Sequence, residues 1–198
     1  MKIKICGLTR NADIQAVNAA RPDYIGFVFV QQSKRYVTME QAKQLRAALC
    51  DEIVPVGVFV NEPIENVLQA VRRGIISVVQ LHGGEDEDYI RALKAETAVP
   101  IIKAVSVRQR GDAQRHESTA ADYLLLDHKN GGTGEAFDWN NIGGLEKPFF
   151  LAGGLNTQNI SEAIKQVQPF AVDLSSGAEV DGKKCPERIK ELCGAVQA

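Results

Sequence analysis

The chain has 198 residues, 44% of them hydrophobic and 24% charged, with a formal net charge of −2. That charge offers no basic surplus to draw nucleic acid or an anionic membrane surface, and no apolar run approaches the roughly 20 residues that span a bilayer, so neither partner class is expected. The opening residues Met1-Lys2-Ile3-Lys4-Ile5-Cys6-Gly7 turn polar too quickly for a signal peptide, and a cytoplasmic location is expected.

Eight short β-rich segments are expected at Lys2–Cys6, Tyr24–Phe29, Val54–Val60, Ser77–Leu81, Ile101–Val105, Tyr123–Asp127, Phe149–Ala152 and Ala171–Leu174. Between them, helical spacing of apolar residues marks Ala12–Ala20, Met39–Leu49, Ile64–Arg73, Glu87–Glu96, Ile160–Val167 and Pro186–Val196, with Thr38 and Ser161 as N-cap residue types. The segments after the fifth and sixth strands are weaker: Arg108–Ser118 is polar, Asp138–Leu145 is short and contains glycine, and one of the two is expected to be irregular. Alternating strands and helices point to parallel strands joined by crossovers. Eight at regular spacing favour closure into a single-domain α/β protein of minimal size, a (β/α)₈ TIM barrel over residues 1–198, ahead of an open doubly wound sheet.

Acting groups in such a barrel stand at the C-terminal ends of its strands. The first strand ends at Cys6-Gly7, the second leads into Ser33-Lys34-Arg35, the fourth into His82-Gly83, the sixth into Asp127 and the eighth into Asp173. A thiol, a guanidinium, an imidazole and two carboxylates should therefore ring one mouth. Two glycine turns follow the last two strands, at Gly153-Gly154 and Ser175-Ser176-Gly177. Small residues let backbone N–H groups approach an anion, and a following helix N-terminus adds positive potential. The expected ligand is a phosphorylated small molecule, although each turn alone is equally compatible with an ordinary connector that needs positive φ.

The individual side chains each carry two readings. Cys6 is either a small buried strand residue or a reactive thiol, its pKa lowered from about 8.5 by cations such as Arg35 and Lys4 and by the phosphate-binding amides. Asp127 either caps the following loop or serves as a general acid. Arg35 is a surface arginine or a bidentate partner for a carboxylate, and His82 orients substrate or satisfies a strand-end backbone group. Asn130-Gly131-Gly132-Thr133-Gly134 lacks the Gly-Lys-Ser/Thr ending of a nucleotide loop and reads as a flexible active-site loop or a tight turn. His82, His116 and His128 lie far apart, and Cys6, Cys50, Cys185 and Cys193 lack zinc-site spacing, so reduced thiols and no metal site are expected.

In order along the chain, Lys4-Ile5-Cys6-Gly7, Gly26-Phe27-Val28-Phe29 with Ser33-Lys34-Arg35, Val56-Gly57-Val58-Phe59-Val60-Asn61 and Gln80-Leu81-His82-Gly83 are followed by Gly131-Gly132-Thr133-Gly134 with Phe137-Asp138-Trp139, Leu151-Ala152-Gly153-Gly154-Leu155 and Val172-Asp173-Leu174-Ser175-Ser176-Gly177. Across nearly its whole length the chain thus resembles the phosphoribosylanthranilate isomerase family of tryptophan biosynthesis. The resemblance implies a cofactor-free Amadori rearrangement of N-(5-phosphoribosyl)anthranilate to 1-(2-carboxyphenylamino)-1-deoxyribulose 5-phosphate, while a minimal barrel is compatible with either a monomer or a homodimer. It implies Cys6 as catalytic base, Asp127 as catalytic acid, Arg35 facing the anthranilate carboxylate, and backbone groups around Gly153-Gly154 and Ser176-Gly177 on the phosphate, with His82 and Asp173 as further pocket residues. Lys34 and Cys185 depart from the proline and aspartate common in the family. A related sugar-phosphate isomerase of histidine biosynthesis, or a dual-specificity barrel, would be expected to carry aspartate at position 6, and a non-catalytic phosphate-binding protein would have no use for Cys6 together with Asp127.

Overall fold

Residues 1–127 and 138–197 are described by the structure, a computed structural model. Eight parallel strands follow one another around a closed barrel: β1 (Lys2–Cys6), β2 (Tyr24–Val28), β3 (Val54–Phe59), β4 (Val78–Leu81), β5 (Ile101–Ser106), β6 (Tyr123–Asp127), β7 (Phe149–Leu151) and β8 (Ala171–Leu174). β8 returns to pair with β1, setting Lys4 beside Asp173. Around it lie α1 (Asn11–Ala20), α2 (Met39–Ala47), α3 (Ile64–Arg72), α4 (Glu87–Glu96), α5 (Ile160–Val167) and α6 (Pro186–Gln197), and a small antiparallel hairpin, β9 (Glu179–Val180) with β10 (Lys183–Lys184), follows β8. No helix among the described residues is long and apolar enough to cross a membrane.

Both weak segments depart from the α-helical pattern. Gln114–His116 and Trp139–Asn141 are single 3₁₀ turns, because neither stretch carries an apolar stripe long enough to repay ordering a full helix against the sheet. Thr38 caps α2 as expected: its hydroxyl accepts from the Gln41 amide at 3.2 Å while Gln41 Oε1 accepts from the Thr38 amide at 2.9 Å, a reciprocal arrangement in which losing the cap costs about 1 kcal/mol. Ser161, in contrast, lies inside α5, and the cap position belongs to Asn159. The Asn159 side chain bonds the preceding turn instead, with Oδ1 accepting from the Asn156 amide at 2.9 Å and Nδ2 donating to the Gly154 carbonyl at 3.1 Å. Cys185, immediately before α6, donates its thiol to Glu187 Oε2 at 3.1 Å.

Alternation along each strand divides the core in two. Ile3, Ile5, Ile25, Phe27, Val79, Leu81, Leu124, Leu126 and Val172 point outward into the layer filled by helix residues such as Ile14, Val17, Leu68, Leu93 and Leu192. The lower interior is filled separately by Tyr24, Val56, Val78, Ile102, Leu125, Phe150 and Ala171, one residue from each of β2 to β8. Phe150 anchors this plug through edge-on contacts with Tyr24 at 5.4 Å and Tyr123 at 5.7 Å between ring centroids. With the bottom closed, the next inward positions open at the other end.

Candidate active site

A cleft of about 260 Å³ opens at the C-terminal ends of the strands. Its walls bring together Cys6, Arg35, His82, Asp127, Gly153, Gly154, Asp173 and Ser176, residues separated by up to 170 positions in the sequence. Gly177 is not part of the lining. A side chain there would put its Cβ 2.0 Å from the Leu155 carbonyl oxygen, so its role is to let the turn after β8 pack against the turn after β7. Gly153 and Gly154 adopt φ of +84° and +65°, a region that a β-carbon disfavours, and the Gly154 carbonyl is tied down by Asn156 and Asn159. The segment 130–134 and His128 lie outside the described residues.

Cys6 ends β1 opposite Gly26 of β2. A Cβ at position 26 would lie 2.6 Å from the Cys6 sulfur, so Gly26 supplies the space that the thiol occupies. Two positions earlier, Lys4 is fully buried and donates to both Asp173 oxygens at 2.9 and 3.0 Å. Burial alone would discharge Lys4, but Asp173 and Cys6 outweigh it and hold the ammonium above its usual value. The thiol does not follow the expected lowering. Burial pushes Cys6 up, Lys4 pulls it down, Asp173 pushes it up again and Lys184 pulls it down, with the net result above the ordinary thiol value. Proximity to cations is not sufficient when the same packing excludes water and one cation is already paired with a carboxylate.

On the opposite wall, Asp127 closes β6, buried, with its backbone carbonyl accepting from the Val107 amide at 2.9 Å. His82 Nε2 stands 3.7 Å from Asp127 Oδ2. Gln80 Nε2 lies 2.9 Å from His82 Nδ1; with the amide nitrogen as donor, Nδ1 accepts and Nε2 carries the proton facing Asp127. Burial, reinforced by the charge of Lys4, pushes the imidazole below its usual value, leaving it neutral near pH 7.

Arg35 reaches the cleft across Gly7, where an added Cβ would lie 2.3 Å from Arg35 Cδ. Its guanidinium is paired with Glu179, Nε donating to Oε1 at 2.6 Å and Nη2 to Oε2 at 2.9 Å. Lys184 Nζ donates to Glu179 Oε1 as well, and to the Ser175 carbonyl at 3.0 Å. Glu179 and Lys184 escaped the sequence reading, since both lie in a charged stretch beyond the last barrel strand. Lys4 carried a local signal, a lysine sharing an inward face with Cys6 in an otherwise apolar strand.

Comparison with known proteins agrees over the full length. The model of the N-(5'phosphoribosyl)anthranilate (PRA) isomerase family matches residues 3–195. An N-(5'-phosphoribosyl)anthranilate isomerase from Endomicrobium trichonymphae is 47% identical over 194 residues, covering 96% of this chain and 95% of that protein. The crystal structure of phosphoribosyl anthranilate isomerase from Thermus thermophilus superposes with a TM-score of 0.90 at 32% identity, covering 100% of this chain and 98% of that one. A phosphoribosyl anthranilate isomerase in complex with reduced 1-(o-carboxyphenylamino)-1-deoxyribulose 5-phosphate gives 0.86 at 34% identity, with the same coverage.

Proposed function

The chain belongs to the N-(5'-phosphoribosyl)anthranilate isomerase family, whose aldose–ketose isomerisation serves tryptophan biosynthesis, and from that premise we propose that its own Cys6 and Asp127 divide the proton transfers. Asp127, protonated, donates to the ribose ring oxygen as the C1′–O bond breaks, giving the open-chain Schiff base. Cys6, as thiolate, removes the proton from C2′ and leaves an enolamine. Gain of a proton at C1′ and loss of one from the C2′ hydroxyl then yield the ketone. General acid and base groups of this kind each contribute roughly 10²- to 10⁴-fold. Neutral His82, beside Asp127, steadies the carboxyl without competing for its charge.

The observation that carries this reading is that a thiol from β1 and a carboxyl from β6 line one cleft together with two glycine turns. The turn amides of Gly153, Gly154 and Ser176 hold the phosphate, with Gly177 keeping the two turns in contact. Arg35 takes the anthranilate carboxylate. Asp173 acts through Lys4, fixing the cation that favours the Cys6 thiolate. The phosphorylated product analogue held by the related enzyme supports a ligand of this size and charge.

Cys6→Ser tests the assignment. With folding verified by circular dichroism, turnover of freshly generated phosphoribosylanthranilate, followed as loss of anthranilate-type fluorescence, should fall at least about 100-fold. Near-normal turnover would remove Cys6 from the mechanism. In the unsubstituted enzyme, the limb of the kcat/KM profile that reports Cys6 should lie above the ordinary thiol range, because burial raises the free enzyme's thiol.

A further inference from the structure

Arg35 meets two structural demands at once. Its Nε and Nη2 form a fork on Glu179, its methylene stem crosses Gly7 beside Cys6, and its side chain is only 12% exposed, with Glu179 at 6%. A guanidinium is planar and carries five N–H groups. The Glu179 fork engages one edge and leaves the Nη1–Nη2 edge, which has the same two-donor geometry that matches a carboxylate. The local charge is also unbalanced: Arg35 and Lys184, two cations, share one Glu179 carboxylate. Buried charge is costly unless paired, and a ligand carboxylate on the outer edge would bring two cations against two anions.

We infer that Glu179 is a positioning residue for substrate recognition: by holding the Nε–Nη2 edge of Arg35 it aims the Nη1–Nη2 edge at the aryl carboxylate of the substrate. The inference rests on the assignment of Arg35 to that carboxylate. The hairpin carrying Glu179 is itself fastened for the task. Lys184 ties it to the Ser175 carbonyl at 3.0 Å, Arg10 Nη2 donates to the Lys184 carbonyl at 3.1 Å, and Arg188 Nη1 donates to the Glu179 carbonyl at 2.6 Å. The orientation of one side chain on β2's loop is therefore set by a segment 144 residues away. Lysine could not replace Arg35 here, since a single ammonium has no second edge to aim.

The test compares two ligands, 1-(2-carboxyphenylamino)-1-deoxyribulose 5-phosphate and its analogue lacking the 2-carboxyl, by calorimetric Kd. The unsubstituted protein should prefer the carboxylated ligand. Glu179→Gln should reduce that preference roughly tenfold, the scale of one charge-assisted contact, while affinity for the analogue stays the same, and in turnover the loss should appear in KM rather than kcat. A general loosening of the site would weaken both ligands together and overturn the inference. Arg35→Ala should abolish the preference, and adding Glu179→Gln to it should cost nothing more. If Arg35→Ala keeps the preference, the assignment of Arg35 itself fails; if Arg35→Ala loses it and Glu179→Gln keeps or strengthens it, only the role of Glu179 is overturned. Arg35→Lys covers the case in which Glu179→Gln does not fold: retained preference in this charge-conserving variant would refute the two-edge geometry, and lost preference supports it.

Discussion

Below the middle of the barrel the inward side chains are Tyr24, Val56, Val78, Ile102, Leu125, Phe150 and Ala171; the inward positions of the upper end include Cys6, Gln80, Asp127 and Asp173. The change takes a single strand repeat of two residues: Val78 to Gln80, Leu125 to Asp127, Ala171 to Asp173. The lower plug is held by shape, with rings and branched side chains filling volume. In the upper layer each buried charge must meet an opposite one, as Lys4 meets Asp173 and Arg35 meets Glu179. Stability and chemistry therefore reside in adjacent layers of the same strands, and substitutions should separate them.

The largest effect is expected from Lys4→Met, at the boundary between the layers. It leaves Asp173 buried without its cation, a loss of about 3–5 kcal/mol to be read from denaturant unfolding. It should also move the thiol limb of kcat/KM to still higher pH, because Lys4 is the leading influence that counters the burial of Cys6. An unmoved limb would confine Lys4 to holding the fold. Phe150→Ala probes the plug alone. Emptying a ring buried to 1% exposure should cost about 3 kcal/mol or somewhat more, yet the kcat/KM of the molecules that remain folded should be retained. A comparable loss of kcat/KM would mean that the two ends do not work separately.

The smallest effect is a pH dependence of stability at the upper end. Burial holds His82 below its usual value, so the folded state binds its proton less readily than the unfolded chain. The stability this contributes is complete above the unfolded value of about 6.5 and is lost as pH falls through the depressed folded value. His82→Gln should therefore lose less thermal stability than the unsubstituted protein between about pH 7.5 and about pH 5. A residual slope is expected in both, since His116 is also lowered by burial. Parallel curves would show that His82 does not bear this linkage.

What the sequence determined by itself was local. Short β-rich segments located eight strands to within a residue at each end, and the same segments put Cys6, His82, Asp127 and Asp173 at or beside strand ends, where a barrel gathers its chemistry. Helices with a strong apolar stripe were equally legible, whereas the polar connections after β5 and β6 became single turns. Tertiary structure alone decided which side chains meet. Barrel closure placed Lys4 on Asp173 across 169 residues, a pairing set by the stagger of eight strands, and the hairpin after β8 placed Glu179 on Arg35 across 144, contacts that no single segment encodes. It also decided the state of Cys6: a sequence can reveal cations near a thiol, but the balance between their pull and the loss of water depends on burial, which exists only once the chain has folded.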